Sequence, residues 1–106
     1  MTEKDMNHFL VISGHISVNK KKEFEQTFRL AFNSLSGDCL ECSLSIDTNK
    51  EGDYHFFSLW SDKSAMNNFM SSMEYQLMNG AFHALGTIKK TFNGNVLESQ
   101  RYRTGI

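Results

Sequence analysis

The sequence predicts an α+β fold of order βαββααβ, the ferredoxin-like arrangement, with an antiparallel four-stranded sheet and its helices on one face. Three observations carry this reading. Phe24, Phe28, Ala31, Phe32 and Leu35 recur at helical spacing after an apolar stretch. Leu40, Cys42, Leu44 and Ile46 then alternate with Glu41, Ser43, Ser45 and Asp47, ahead of the turn residues DTNKEGD. Finally, Tyr54 to Gly86 reads as a strand ending on the only Trp, a short capped helix, and a second helix closed by a Gly.

Taken in order, residues 8–18 (HFLVISGHISV) form the first predicted strand. His8, Leu10, Ile12, Gly14, Ile16 and Val18 share one face, and Phe9, Val11, Ser13, His15 and Ser17 the other. Apolar residues on both faces suit a central strand. Gly14 interrupts the pattern and marks a bulge or a close approach. Asn19 is placed to cap the amphipathic helix that follows, and Ser36-Gly37-Asp38 to end it. The second strand carries one wet face. Tyr54 to Trp60 is the returning strand of a hairpin, again apolar on both faces.

Ser61 or Asp62 caps a short helix with Ala65, Met66, Phe69 and Met70 inward. Ser72 caps the next, with Leu77, Met78, Ala81, Phe82 and Leu85 inward and Gly86 as its C′ residue. Residues 87–99 are the last strand, interrupted near Asn93-Gly94-Asn95. With no proline in the chain, caps and glycines must set the helix ends.

The 106 residues fit a single domain over 1–106, with a core of about 8–99 and tails at 1–7 and 100–106. One helical layer leaves the far sheet face uncovered, so a homodimer is expected, its second sheet closing a barrel. A net charge of -1 argues against a nucleic-acid partner. The N-terminus MTEKDMNHF lacks the apolar core of a signal peptide, and no window approaches the ~20 apolar residues of a membrane span. No membrane partner is therefore expected, and a cytoplasmic location follows by default.

Cys39 and Cys42 form a C-L-E-C tetrad at the start of an alternating strand. Positions three apart point to opposite faces of a regular strand, so two ordinary thiols are expected rather than a redox pair. No second pair completes a zinc site, and no metal is expected.

The passage from Trp60 through S-D-K-S-A-M to M-E-Y-Q-L-M-N-G-A-F-H-A-L-G resembles the antibiotic biosynthesis monooxygenase (ABM) domain family, over roughly residues 8–99. The resemblance implies a dimeric α+β barrel. It also implies cofactor-independent oxygenation of a small aromatic or quinol compound, whose deprotonated anion reacts directly with O₂. Such chemistry needs a base, a dry aromatic cavity and a means of holding the anion. Many members carry a His nine residues after the Trp, where this chain has Phe69. The haem-degrading members combine an Asn in strand one, the Trp and a His in the last helix. Those positions fall here on Gly14, Trp60 and Asn79, so haem binding ranks last among the readings.

Within that frame Trp60 and Phe69 are the candidate cavity walls, with Gly14 and His15 on strand one as further substrate contacts. Trp60 equally suits a core position closing the sheet end. His83 is the candidate acid or base, because imidazole titrates near ~6.5, and Asn79, one turn before it, would orient or polarise the substrate. A half-buried helix residue bonded to water is the plainer account of His83. His15 has the wrong parity to share a face with Gly14. His8 and His55 look ordinary. The competing function is a non-catalytic small-molecule-binding or stress-associated dimer of the same fold.

Overall fold

The computed structural model describes residues 6–35 and 38–98. Strand β1 (His8–Ile16) lies centrally, as its two apolar faces require. A 3₁₀ turn (Val18–Lys20) leads into helix α1 (Lys21–Phe32), followed by β2 (Cys39–Ile46) and β3 (Asp53–Trp60). Helices α2 (Lys63–Met70) and α3 (Met73–Leu85) precede β4 (Gly86–Asn95). The order is βαββααβ, and the sheet is antiparallel with strand order β2-β3-β1-β4.

The helices cover one face, and aromatic rings fill the gap. Phe24 packs against Phe28, Tyr54 and Phe82 at centroid distances of 4.7, 4.8 and 4.8 Å. Phe28 also meets Phe56 and Phe82. Two helix starts follow the sequence closely: Asp62 Oδ1 accepts from Ala65 N–H at 2.8 Å, and Ser72 Oγ accepts from Tyr75 N–H at 3.2 Å. Turn 47–52 is held by Asp47 Oδ1, which accepts from the Asn49 and Lys50 N–H groups, and by Gly52 at φ 88°.

Several expectations are corrected. β1 stops at Ile16, and Val18 is exposed in the 3₁₀ turn. Asn19 lies inside that turn; Lys20 occupies the N-cap position of α1, with no side-chain cap. Helix α1 ends at Phe32 with Asn33 as its C-cap, while Ser36 and Gly37 lie outside the described residues. Leu77 is 51% exposed, because the buried stripe of α3 is Met78, Ala81 and Phe82. Gly86 is extended rather than left-handed and opens β4; a Cβ there would sit 1.9 Å from the His15 carbonyl oxygen. β4 runs unbroken through Asn93-Gly94-Asn95, and its irregularity falls at Lys89 instead. The tail at 99–106 lies outside the described residues.

The cysteine geometry is also different. Leu40 is an extra residue in β2: Cys39 pairs with Trp60, Glu41 with Leu59, and Cys42 with Ser58. Trp60 and Ser58 have the same parity, so this bulge turns both thiols to the helix-covered face. Both pack against the core, and the Cys39 thiol donates to the Glu41 carbonyl oxygen at 3.3 Å. Leu40 is left exposed.

No described helix lies against the far face. Phe9, Val11, Phe57 and Leu59 are half-buried there, and Phe92 is 38% exposed. His15 Nδ1 and Lys89 Nζ each lie 2.8 Å from an oxygen of Asp53, and Ser13 Oγ lies 2.8 Å from His55 Nδ1.

Candidate functional site

The predicted site residues divide between the two ends of the sheet. His8 faces Trp60 in the β1–β3 ladder, and Gly14 faces Tyr54. Six residues of strand separate the two positions, about 20 Å. Trp60 is 1% exposed, its ring stacked on Phe69 of α2 at 4.6 Å. Its Nε1–H donates to Ser58 Oγ at 2.9 Å, and the Ser58 hydroxyl donates to the Leu10 carbonyl. This indole is therefore packed and satisfied within the core. Gly14 lies under α3, where a Cβ would approach Phe82 Cδ1 to 2.6 Å. His15 is exposed on the far face, as its parity implies. Asn79 is half-buried midway along α3, and His83 is exposed on that helix. The fold does not gather these six residues around one cavity.

A cleft does lie between the sheet and a helix, elsewhere. Glu25, Phe28, Arg29 and Phe32 from α1 face Leu44, Ser45 and Ile46 of β2 and Tyr54 of β3. They enclose about 310 Å³, near the lower end of ligand pockets, enough for one small aromatic skeleton. Helical spacing builds one wall: Glu25 and Arg29 are i and i+4, beside the buried ring of Phe28 and the half-buried ring of Phe32. β2 is an edge strand, so the mouth opens past exposed Ser45 and Ile46.

The cleft has one fixed polar pair. Tyr54 O–H donates to Glu25 Oε2 at 2.5 Å. Burial, followed by the neighbouring Glu25 carboxylate, pushes the Tyr54 phenol well above its usual range, so it remains a protonated donor. Arg29 takes part in none of the ion pairs found among the described residues. The arrangement is an aromatic floor, a carboxylate held by a phenol, and a cation at the mouth. It can bind a flat molecule, accept a hydrogen bond from its hydroxyl, and stabilise an anion.

Sequence reasoning missed this group. Glu25 and Arg29 were not among its candidates, although their spacing puts them beside the apolar stripe of α1. Tyr54 carries the one phenol on the core parity of β3, which was a usable signal. His8 was missed too. It is buried, with Nε2 3.1 Å from Asn93 Oδ1 and Nδ1 in contact with the Asn95 side chain. Its place on the same parity as Leu10 and Ile12 marked it. Among the described residues, no group of three or more His, Cys, Asp or Glu side chains is placed to hold a metal ion. No described helix is long and apolar enough to cross a membrane.

No protein-family profile and no curated protein matches the sequence. Solved structures do match the fold. SnoaB from Streptomyces nogalater, a cofactor-independent oxygenase, is similar in a mutant form at TM-score 0.73 and 17% identity, over 88% of this chain and 95% of that one. A Caulobacter crescentus CB15 protein provisionally named an antibiotic biosynthesis monooxygenase superposes at TM-score 0.78 and 16% identity, over 91% and 94% of the two chains. A Deinococcus radiodurans protein with the same provisional name gives 0.75 and 15%, over 91% and 98%. At these identities the likeness is one of architecture, and the chain has the α+β fold of the solved antibiotic biosynthesis monooxygenase structures.

Proposed function

We propose that the protein is a cofactor-independent monooxygenase acting on a small aromatic or quinol compound in the cleft between α1 and the β2–β3 hairpin. The observation that supports this most is the meeting of Glu25, Arg29 and the Tyr54 phenol over the Phe28–Phe32 floor. The substrate ring lies on the floor with its hydroxyl directed at Glu25. The proton passes to the carboxylate, and Arg29 holds the resulting anion. O₂ then takes electrons from that anion. One oxygen atom becomes a quinone carbonyl and the other leaves as water, so the substrate supplies all four electrons.

A magnitude narrows the substrate class. A simple phenol titrates near ~10 and a carboxylate near ~4.3, a mismatch of roughly 8 kcal/mol. An ordinary carboxylate does not by itself sustain a simple phenolate against that gap. Hydroxyls already acidified by conjugation to a carbonyl therefore suit the site best, with Arg29 supplying part of the remainder. His83 and Asn79 remain the alternative base and orienting group.

The test is O₂ uptake across a panel of phenols and quinols. With a working substrate, Glu25→Gln and Arg29→Met lower kcat by about 10²-fold or more, while His83→Ala does not. Wild-type turnover by Glu25→Gln, with loss in His83→Ala, would return the base to α3.

The second reading is a non-catalytic binding protein. It is favoured by the filled interior around Trp60 and Phe69. In that case the same panel quenches fluorescence on binding but consumes no O₂. In either case the chain works as a homodimer in our proposal, supported by the apolar far face of the sheet.

A further inference from the structure

The bulge at Leu40 makes C-L-E-C a chemically different motif from the one its spacing suggests. On a regular strand these thiols diverge. Here the register makes Cys39 and Cys42 same-face neighbours, both half-buried against the core. Same-face neighbours on a strand have Cα atoms about 6.6 Å apart. Disulfides span Cα separations up to ~6.8 Å with Cβ atoms about 3.5–4.5 Å apart, so closing the bond must draw the two Cβ atoms together at the bulge. A bond closed there is strained and readily reduced.

We infer that Cys39 and Cys42 form a reversible dithiol–disulfide couple, oxidised by small-molecule disulfides. Cys39 loses its proton and attacks one sulfur of the small disulfide, giving a mixed disulfide and one free small thiol. Cys42 then attacks the Cys39 sulfur and releases the second small thiol. Two protein thiols are oxidised, one small disulfide is reduced, and both protons end on the released thiols.

Burial raises both thiols, Cys42 to about 12 and Cys39 in the same direction. The first step is therefore slow at neutral pH and quickens as the solution becomes alkaline. The second step is intramolecular between neighbouring thiols on one sheet face, so it outruns the first. The couple responds to sustained oxidant rather than to brief exposure.

The bulge also fixes where the effect is read. Cys39 is the ladder partner of Trp60, at the edge of the sheet. Closing the bond changes the packing beside the indole, which serves as an internal fluorophore.

The experiment is intact-mass analysis of the folded chain in oxidised glutathione, at about pH 8.5, near the ordinary thiol value. The expected product has lost two hydrogens, carries no lasting glutathione adduct, and gives a peptide joining Cys39 to Cys42. Dithiothreitol reverses it and restores the Trp60 emission. Cys42→Ser, which lacks the resolving thiol, accumulates a single glutathione adduct. The inference is overturned if the wild type accumulates stable glutathione adducts or bonds only between chains. It is equally overturned if the wild type stays reduced while Cys42→Ser takes up glutathione.

Discussion

The Tyr54 hydroxyl on β3 donates a 2.5 Å hydrogen bond to Glu25 Oε2 on α1, and so ties the first helix to the hairpin across the cleft. The bond joins residues 29 apart in sequence and fixes the carboxylate that the proposed chemistry uses. Tyr54→Phe is expected to destabilise the fold by about 1 kcal/mol in urea unfolding, below the usual range for charge-assisted bonds because Glu25 is partly solvated. The same pair shapes the alkaline limb. The folded pKa of Tyr54 is raised, so the fold retains a proton that the unfolded chain loses. Its contribution is complete below ~10 and falls away as pH rises above that value. Tyr54→Phe flattens this limb; an unchanged alkaline limb counts against the assignment.

Asp53 sets the acid limb. Lys89 first, then His15, hold its carboxyl below the usual range through hydrogen bonds. A depressed folded pKa contributes stability that is present above the unfolded value of ~3.9 and is lost as pH falls through the folded value. Lys89→Met should therefore make the protein less stable at neutral pH and reduce its loss of stability on acidification. Equal acid limbs for wild type and variant in thermal melts would contradict this.

Gly14 is a packing residue in this fold. A Cβ there meets the Phe82 ring at 2.6 Å and the Thr87 carbonyl oxygen at 2.7 Å. Gly14→Ala is expected to cost about 1–3 kcal/mol through overpacking. Because one close partner is a side chain, Gly14→Ala combined with Phe82→Leu recovers part of the loss. Gly86→Ala has no such remedy, since its close partner is the His15 carbonyl oxygen. Chemical denaturation of the single and double variants separates the two cases.

The far sheet face should bind a second copy. The half-buried Phe9, Val11, Phe57 and Leu59 and the exposed Phe92 form an apolar field that no described helix covers. Light scattering at micromolar concentration should give twice the 12.2 kDa chain mass. Val11→Asp with Phe57→Asp, at positions that face each other in the ladder, should give the single-chain mass while retaining the far-UV spectrum. A wild-type chain already at 12.2 kDa would end the dimer proposal.

The sequence by itself determined the elements and their order. Periods of two and of about 3.6 are local signals, so β1, α1, β3 and the split second helix could be read without knowing what they pack against. Caps are equally local, which is why Asp62 and Ser72 were legible. Tertiary structure decided wherever two distant segments had to agree. The extra residues at Leu40 and Lys89 exist because one strand must fit a neighbour; Gly14 marked the second from across the ladder, where the β1–β4 register shifts, but no local pattern announces the first. The first of these reversed the geometry expected of Cys39 and Cys42. Gly86 reads as a helix stop in isolation, but the close passage of β1 requires it. Trp60 is a plausible pocket wall in sequence; Phe69 and Ser58 satisfy it from both sides and make it core. The cleft at Glu25, Arg29 and Tyr54 was beyond reach for the same physical reason. It is space left between α1 and an edge strand, and where side chains leave space depends on how all of them pack together.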